Sequence, residues 1–153
     1  MDIIAHALWG LIIFHKLNPW LVIFFSIFPD ILAFSIDSVR IIFVEKRFTP
    51  KKMMARKFPP YVVEIYNYTH SLILTAVLFI ILFFTFRTAS YYILPWILHI
   101  LVDIPLHPKE FFGTPFMYPF SNYKFNGYHW IKLPALLANY ALLALVAYLV
   151  FIH

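Results

Sequence analysis

Long apolar runs broken by single ionisable residues dominate the chain, and their lengths and breaks predict helices. Residues 2 to 15 read as a short apolar helix closed near His15 and Lys16. At about 1.5 Å per residue it is too short to cross a bilayer unaided. Asn18-Pro19 opens the next run, residues 19 to 44, which Pro29-Asp30 interrupts; a helix to about Phe28 and a kinked or restarted helix beyond it are expected. Residues 45 to 60 read as a basic loop or surface helix closed by Pro59-Pro60. The amphipathic YVVEIYNY segment then leads to Thr69-His70-Ser71, a membrane helix running to Arg87, and another from about Ser90 to His107. Residues 108 to 130 carry Pro108, Pro115 and Pro119 among nine aromatics, a pattern that precludes a long helix and suits an ordered loop at the membrane interface. Leu133 to Ile152 is the last span.

The pattern predicts an all-α, polytopic membrane bundle of about five helices in one domain. Metal-site helices would fill residues 1–107, the interfacial loop 108–130 and the last helix 131–153. Composition agrees, with 63% hydrophobic and only 12% charged residues, far from soluble averages. The start MDIIAHALWG has no basic segment and no small-residue cleavage site, so it is expected to remain as the first helix. With no cysteine, any metal must be held by His, Asp or Glu. The net charge of +5 is concentrated at Lys46, Arg47, Lys51, Lys52, Arg56 and Lys57, a cluster that fits anionic lipid headgroups and topology setting better than nucleic acid.

The chemistry centres on WILHILVDIPLHP, where His99 and Asp103 stand four apart and share a helix face. Each ionisable group placed inside a membrane costs at least about 2.5 kcal/mol on insertion scales unless paired. On an up-and-down bundle His6 falls near the start of the first helix, Asp30 near the end of the second, His70 at the start of the next long helix, and His99 and Asp103 near the end of the one after. Alternating direction brings all five to one side of the membrane. The basic cluster falls on that side, so the positive-inside rule puts the N-terminus and the site in the cytoplasm at the cell membrane, and five spans put the C-terminus outside. His6, Asp30, His70, His99 and Asp103 are therefore candidate ligands for one or two divalent ions. Zinc suits the donor set, as do manganese, iron and nickel, and Asp103 could bridge a pair. Asp30 is also the candidate catalytic base, and His107 and His129 are candidates for substrate contact or outer support.

Each residue has a plainer role available. His99 and Asp103 could simply hydrogen-bond two helices together, Thr69-His70-Ser71 and Asp30 could cap helices, His6 could pack near Gly10 where another helix approaches, and His129 could sit at the interface beside Trp130.

Asp2 to His6, Phe28-Pro29-Asp30, Tyr68-Thr69-His70-Ser71-Leu72, Leu98 to Asp103, and a Pro-rich aromatic loop reaching Tyr118-Pro119 together resemble the membrane-bound metal-dependent hydrolase family, which includes the LexA-regulated inner-membrane putative hydrolase. The resemblance covers roughly residues 1 to 120 and implies a small polytopic hydrolase. Leu32 and Ile65 stand where that family often has Asp and His. The expected activity is hydrolysis of an ester or phosphoester of a lipid or other amphiphile. The alternatives are a catalytically inactive structural or partner-binding membrane protein, and a protein that handles protons or metal ions for transport, which the lack of repeat symmetry disfavours.

Overall fold

Asp2 starts the first helix by accepting the Ala5 N–H at 2.9 Å, so that α1 runs Ile3–Ile13. Asn18 repeats the device for α2, Pro19–Val39, accepting from the N–H groups of Trp20 and Leu21, with Pro19 placed where no N–H is needed. A π-helical stretch, Arg40–Glu45, continues it. Then come α3 (Pro60–Thr69) and α4 (Leu72–Thr85), followed by α5 (Arg87–Ser90), a 3-10 turn (Tyr91–Ile93), α6 (Leu94–Leu106) and α7 (Leu133–Phe151). The computed structural model describes residues 1–45 and 58–152, and among these no strand occurs. The basic cluster from Lys46 to Lys57 lies outside the described residues.

The regular structure of the described residues is thus all helical. Among them, three segments are long and apolar enough to cross a membrane: Pro19–Val39, Arg87–Leu106 and Leu133–Phe151. The pair α3 and α4, bent by 50° at a short break, makes a fourth if taken as one span. The eleven residues of α1 fall short of that length.

Of the two forms expected at Pro29, a kinked helix or a restarted one, the restarted form does not occur: α2 passes through the proline, so Asp30 sits in mid-helix and caps no new helix. A single proline removes one backbone bond and loosens one turn, and within a packed bundle neighbouring groups can satisfy the freed carbonyls.

Helix α2 packs on α1, α3 and α6, which makes it the hub of the bundle, while α6 also contacts α1 and α4. Gly10 permits the closest approach, because a Cβ there would lie 2.0 Å from Ser26 Oγ on α2. Helix α7 leans mainly on α1, tied by Trp9 Nε1 donating to Asn139 Oδ1 and by the Tyr140 hydroxyl donating to Asp2 Oδ1, both at 3.0 Å. Met1, Ala5, Trp9, Ile12 and Leu143 form the apolar core between them.

Burial is inverted relative to a protein in water. His6, Ser26, Thr69, His70, Ser71, Thr75, Ser90, His99 and Asp103 are buried, whereas Trp20, Phe84 and Leu133 are 77%, 82% and 64% exposed. Apolar side chains facing out around a polar interior are what a lipid-facing bundle requires.

Residues 108–130 are laced onto the bundle. The N–H groups of Gly127, Tyr128 and Trp130 donate to the carbonyls of His107, Pro105 and Leu106, so the loop satisfies carbonyls left open at the end of α6. Gly127 is required there, since a Cβ would lie 2.5 Å from the Pro105 carbonyl oxygen. At the other end, Leu72 N–H donates to Phe116 O at 2.9 Å, Ser71 Oγ donates to Tyr118 O, and Tyr66 Oη donates to Phe112 O at 2.8 Å. Phe112 takes a φ of 51°, a strained value for a bulky residue, held by ring contacts with Phe34, Phe58 and Tyr66.

Candidate metal centre

Helices α2 and α6 and the break between α3 and α4 supply the centre. His70 sits at the break between α3 and α4, where Ser71 caps α4 by accepting the Leu74 N–H at 3.2 Å. The Thr-His-Ser triplet therefore has both roles open to it, capping by Ser71 and presentation of the imidazole by His70. The His70 Nδ1 lies 3.1 Å from Tyr66 O and 3.0 Å from Thr69 Oγ1, and the ring stacks on Tyr66 at 3.8 Å. Thr69 Oγ1 itself donates to Tyr66 O, and Trp96 Nε1 donates to Thr69 O at 2.8 Å, so the break is braced from two sides.

His99 points from α6 toward α2, its Nδ1 donating to Ser26 O at 2.7 Å. Ser26 O, on α2, thereby fixes the ring of a histidine carried by another helix. A carbonyl only accepts, hence both Nδ1 atoms carry the hydrogen and both Nε2 atoms present a lone pair. Those two Nε2 atoms face each other at 3.1 Å.

Around them stand two carboxylates. Asp30 Oδ1 lies 3.5 Å from His70 Nε2 and 3.8 Å from His99 Nε2, and Asp103 Oδ2 lies 3.8 Å and 3.4 Å from the same atoms. One ligand atom from each of the four residues lies within 4.8 Å of every other. Bonds of about 2.0–2.1 Å to a tetrahedral ion would set ligand atoms about 3.3 Å apart, and the separations of 3.1 to 3.8 Å bracket that spacing. Two neutral imidazoles and two carboxylates also carry a charge that a dication cancels, whereas without one the electron pairs repel in a medium that screens poorly. Asp30, His70, His99 and Asp103 can hold a metal ion.

His6 and His107 lie beside this group. His6 stacks on the His99 ring at 3.6 Å, and its Nε2 is 3.1 Å from the other oxygen of Asp103, Oδ1. The His107 Nδ1 donates to Asp103 O at 3.2 Å and lies 3.4 Å from Oδ1. Burial pushes the His107 imidazole down to about 4 against the pull of Asp103, which keeps it neutral. His129 is elsewhere: it stacks on Phe111 at 4.6 Å in the loop, where burial and Lys132 lower its basicity. Tyr66, which sequence reasoning passed over, stands four residues before His70 and so on the same helix face, the spacing that could have revealed it.

A cavity of about 520 Å³ adjoins the centre, lined by Asp30, His107, Asp2, Phe34, Phe111 and Trp130 among others. Of the four ligand side chains, His70, His99 and Asp103 are at most 1% exposed, whereas Asp30 is 20% exposed. Access to the centre from this largely apolar cavity therefore runs past Asp30.

Comparison with family models, with curated proteins and with solved structures finds no match.

Proposed function

We propose that this protein is a membrane-embedded, metal-dependent hydrolase of an ester or phosphoester in a lipid or other amphiphile. The observation that carries the reading is the meeting of two lone-pair imidazoles and two carboxylates, His70, His99, Asp30 and Asp103, beside an apolar cavity of ligand-binding size. The residue motifs that resemble the membrane-bound metal-dependent hydrolases support the same assignment. Zinc suits the nitrogen and oxygen donors, and manganese, iron and nickel are the other cations that such a set takes.

A bound divalent ion supplies Lewis acidity, polarising an ester or phosphoryl oxygen and making water more acidic. The chain's own residues do the rest. Tyr66 O and Ser26 O fix the two imidazole rings by accepting their Nδ1 hydrogens, and Asp103, fully buried, holds its carboxylate against both. Asp30 stands at the cavity edge; with His70, His99 and Asp103 holding the ion and the fourth position left to water, its carboxylate would take the proton of the attacking water. Phe34, Phe111 and Trp130 give an alkyl chain an apolar wall while the scissile group lies near Asp30.

In this reading α1 and the four longer segments insert as five membrane helices. The basic residues 46 to 57 lie on the site's side, meet anionic headgroups and hold that side in the cytoplasm at the cell membrane. The test is hydrolysis of ester- and phosphoester-bearing amphiphiles by detergent-purified protein, with and without chelator. Chelator-sensitive turnover lost in Asp30→Asn supports the reading. A metal-loaded protein that hydrolyses neither class would make the centre structural.

A further inference from the structure

Outside the metal centre, the loop over residues 108–130 brings two lysines together. A Cβ at the buried Gly113 would stand 3.0 Å from Lys109 Cα and 3.3 Å from both Cβ and Cδ of Lys124, so the two residues meet across a position that has no side chain. Asn126 Oδ1 accepts the Lys109 N–H at 3.2 Å and ties the two runs of the loop to each other. The Lys109 ammonium lies 5.7 Å from the centre of the Tyr123 ring, the residue next to Lys124. We propose that Lys109 and Lys124 form a binding site for the phosphate of an anionic phospholipid headgroup. The site is separate from the basic segment 46 to 57 and does not depend on the metal reading of the centre.

Three observations carry it. First, like charges are gathered without an internal counter-charge. Among the described residues no ion pair joins either lysine to a carboxylate, and Glu110, the only acid from residue 104 to the end of the sequence, is exposed and pairs with neither. Second, Lys124 is half-buried, and that burial lowers the basicity of its ammonium. An anion held against it would offset the lost hydration. Third, the surroundings belong to the headgroup level of a membrane. Phe120 is 81% exposed, and Tyr123 and Phe125, on either side of Lys124, are exposed as well. Aromatic rings in such positions mark the membrane–water interface, where lysine stems lie along apolar surface and their ammonium groups reach the phosphates.

The charge of the pair also sets which lipid it takes. A zwitterionic headgroup brings a cation of its own, which two ammonium groups repel, whereas a headgroup of net negative charge meets attraction alone. Phe111 and Phe112, between Lys109 and Gly113, line the cavity that Asp30 borders. The segment that holds the phosphate is therefore also part of the cavity wall.

Native mass spectrometry of the detergent-purified full chain, titrated with phosphatidylglycerol and with phosphatidylcholine of the same acyl chains, tests the site. The unmodified protein should favour phosphatidylglycerol by roughly thirtyfold, about fivefold for each lysine. Lys109→Gln with Lys124→Gln should bring the two lipids to near-equal binding, whereas Lys109→Arg with Lys124→Arg should keep the preference. Lys51→Gln with Lys52→Gln, in the basic segment, should keep it too. Equal binding of the two lipids by the unmodified protein overturns the proposal, as does a preference that survives the Lys109 and Lys124 glutamine changes or is lost in the Lys51 and Lys52 variant. Displacement of the lipid by an equal concentration of inorganic phosphate would overturn it as well. If the double glutamine variant does not fold, Lys109→Gln alone, at an exposed position, decides: about a fivefold loss supports the site and no loss overturns it.

Discussion

His70 Nε2 and His99 Nε2 face each other at 3.1 Å, while each ring gives its Nδ1 hydrogen to a backbone carbonyl, Tyr66 O for one and Ser26 O for the other. Two lone pairs at that distance inside a bundle repel unless a cation stands between them. With Asp30 and Asp103 on either side, the group can hold a metal ion.

Removing one imidazole should separate metal binding from folding. His70→Ala or His99→Ala is expected to lose the bound ion, and with it the stabilisation that ligand binding confers, about 2.7 kcal/mol when the free ion is at a hundred times its dissociation constant. A chelator should lower the thermal midpoint of the parent protein and leave that of either variant unchanged. Equal chelator effects in parent and variants would count against the assignment.

Asp30 is the exposed member of the group and borders the cavity. Asp30→Asn keeps the volume and an oxygen donor but removes the base. Turnover should fall by roughly 10²–10⁴, the range for a positioned general base, with metal still detectable by mass spectrometry. An Asn variant as active as the parent would remove Asp30 from the chemistry.

The contact between α1 and α2 depends on the absence of a side chain at Gly10, where a Cβ would meet Ser26 Oγ at 2.0 Å. Gly10→Ala should cost about 1–3 kcal/mol, the usual penalty for overpacking. Adding Ser26→Gly should recover part of it, because the two sites share one space. Independent, additive losses in a denaturation series would show that the helices do not meet there.

Gly127 meets backbone atoms, which cannot give way, with the Pro105 carbonyl oxygen 2.5 Å from where a Cβ would be. Gly127→Ala should therefore release the loop from the end of α6. Limited proteolysis within residues 108–130 should be faster in the variant, with the helices themselves still protected.

The convergence of Asp30, His70, His99 and Asp103 was legible in the sequence because alternating helices bring alternate ends to one side, and His99 and Asp103 share a face at four-residue spacing. The polar-inside, apolar-outside distribution was legible for the same reason, since ionisable residues punctuate the apolar runs singly. At Pro29 the intrinsic penalty left a kinked and a restarted helix both open, and the bundle keeps one helix through the proline. The pairing of Nδ1 atoms with Ser26 O and Tyr66 O could not be read from the chain, because backbone acceptors leave no trace in side-chain identity. His129 looked comparable to His107 by composition, yet only His107 follows Asp103 by one helical turn, and that placed it on Asp103 while His129 packed on Phe111.

X-ray absorption on metal-loaded, detergent-purified protein tests the centre most directly. A divalent ion with nitrogen and oxygen ligands at about 2.0–2.2 Å and outer-shell scattering from imidazole rings is expected, both lost in a variant lacking His70 and His99. Protein that binds no divalent ion, or binds one equally well without those two histidines, would contradict it.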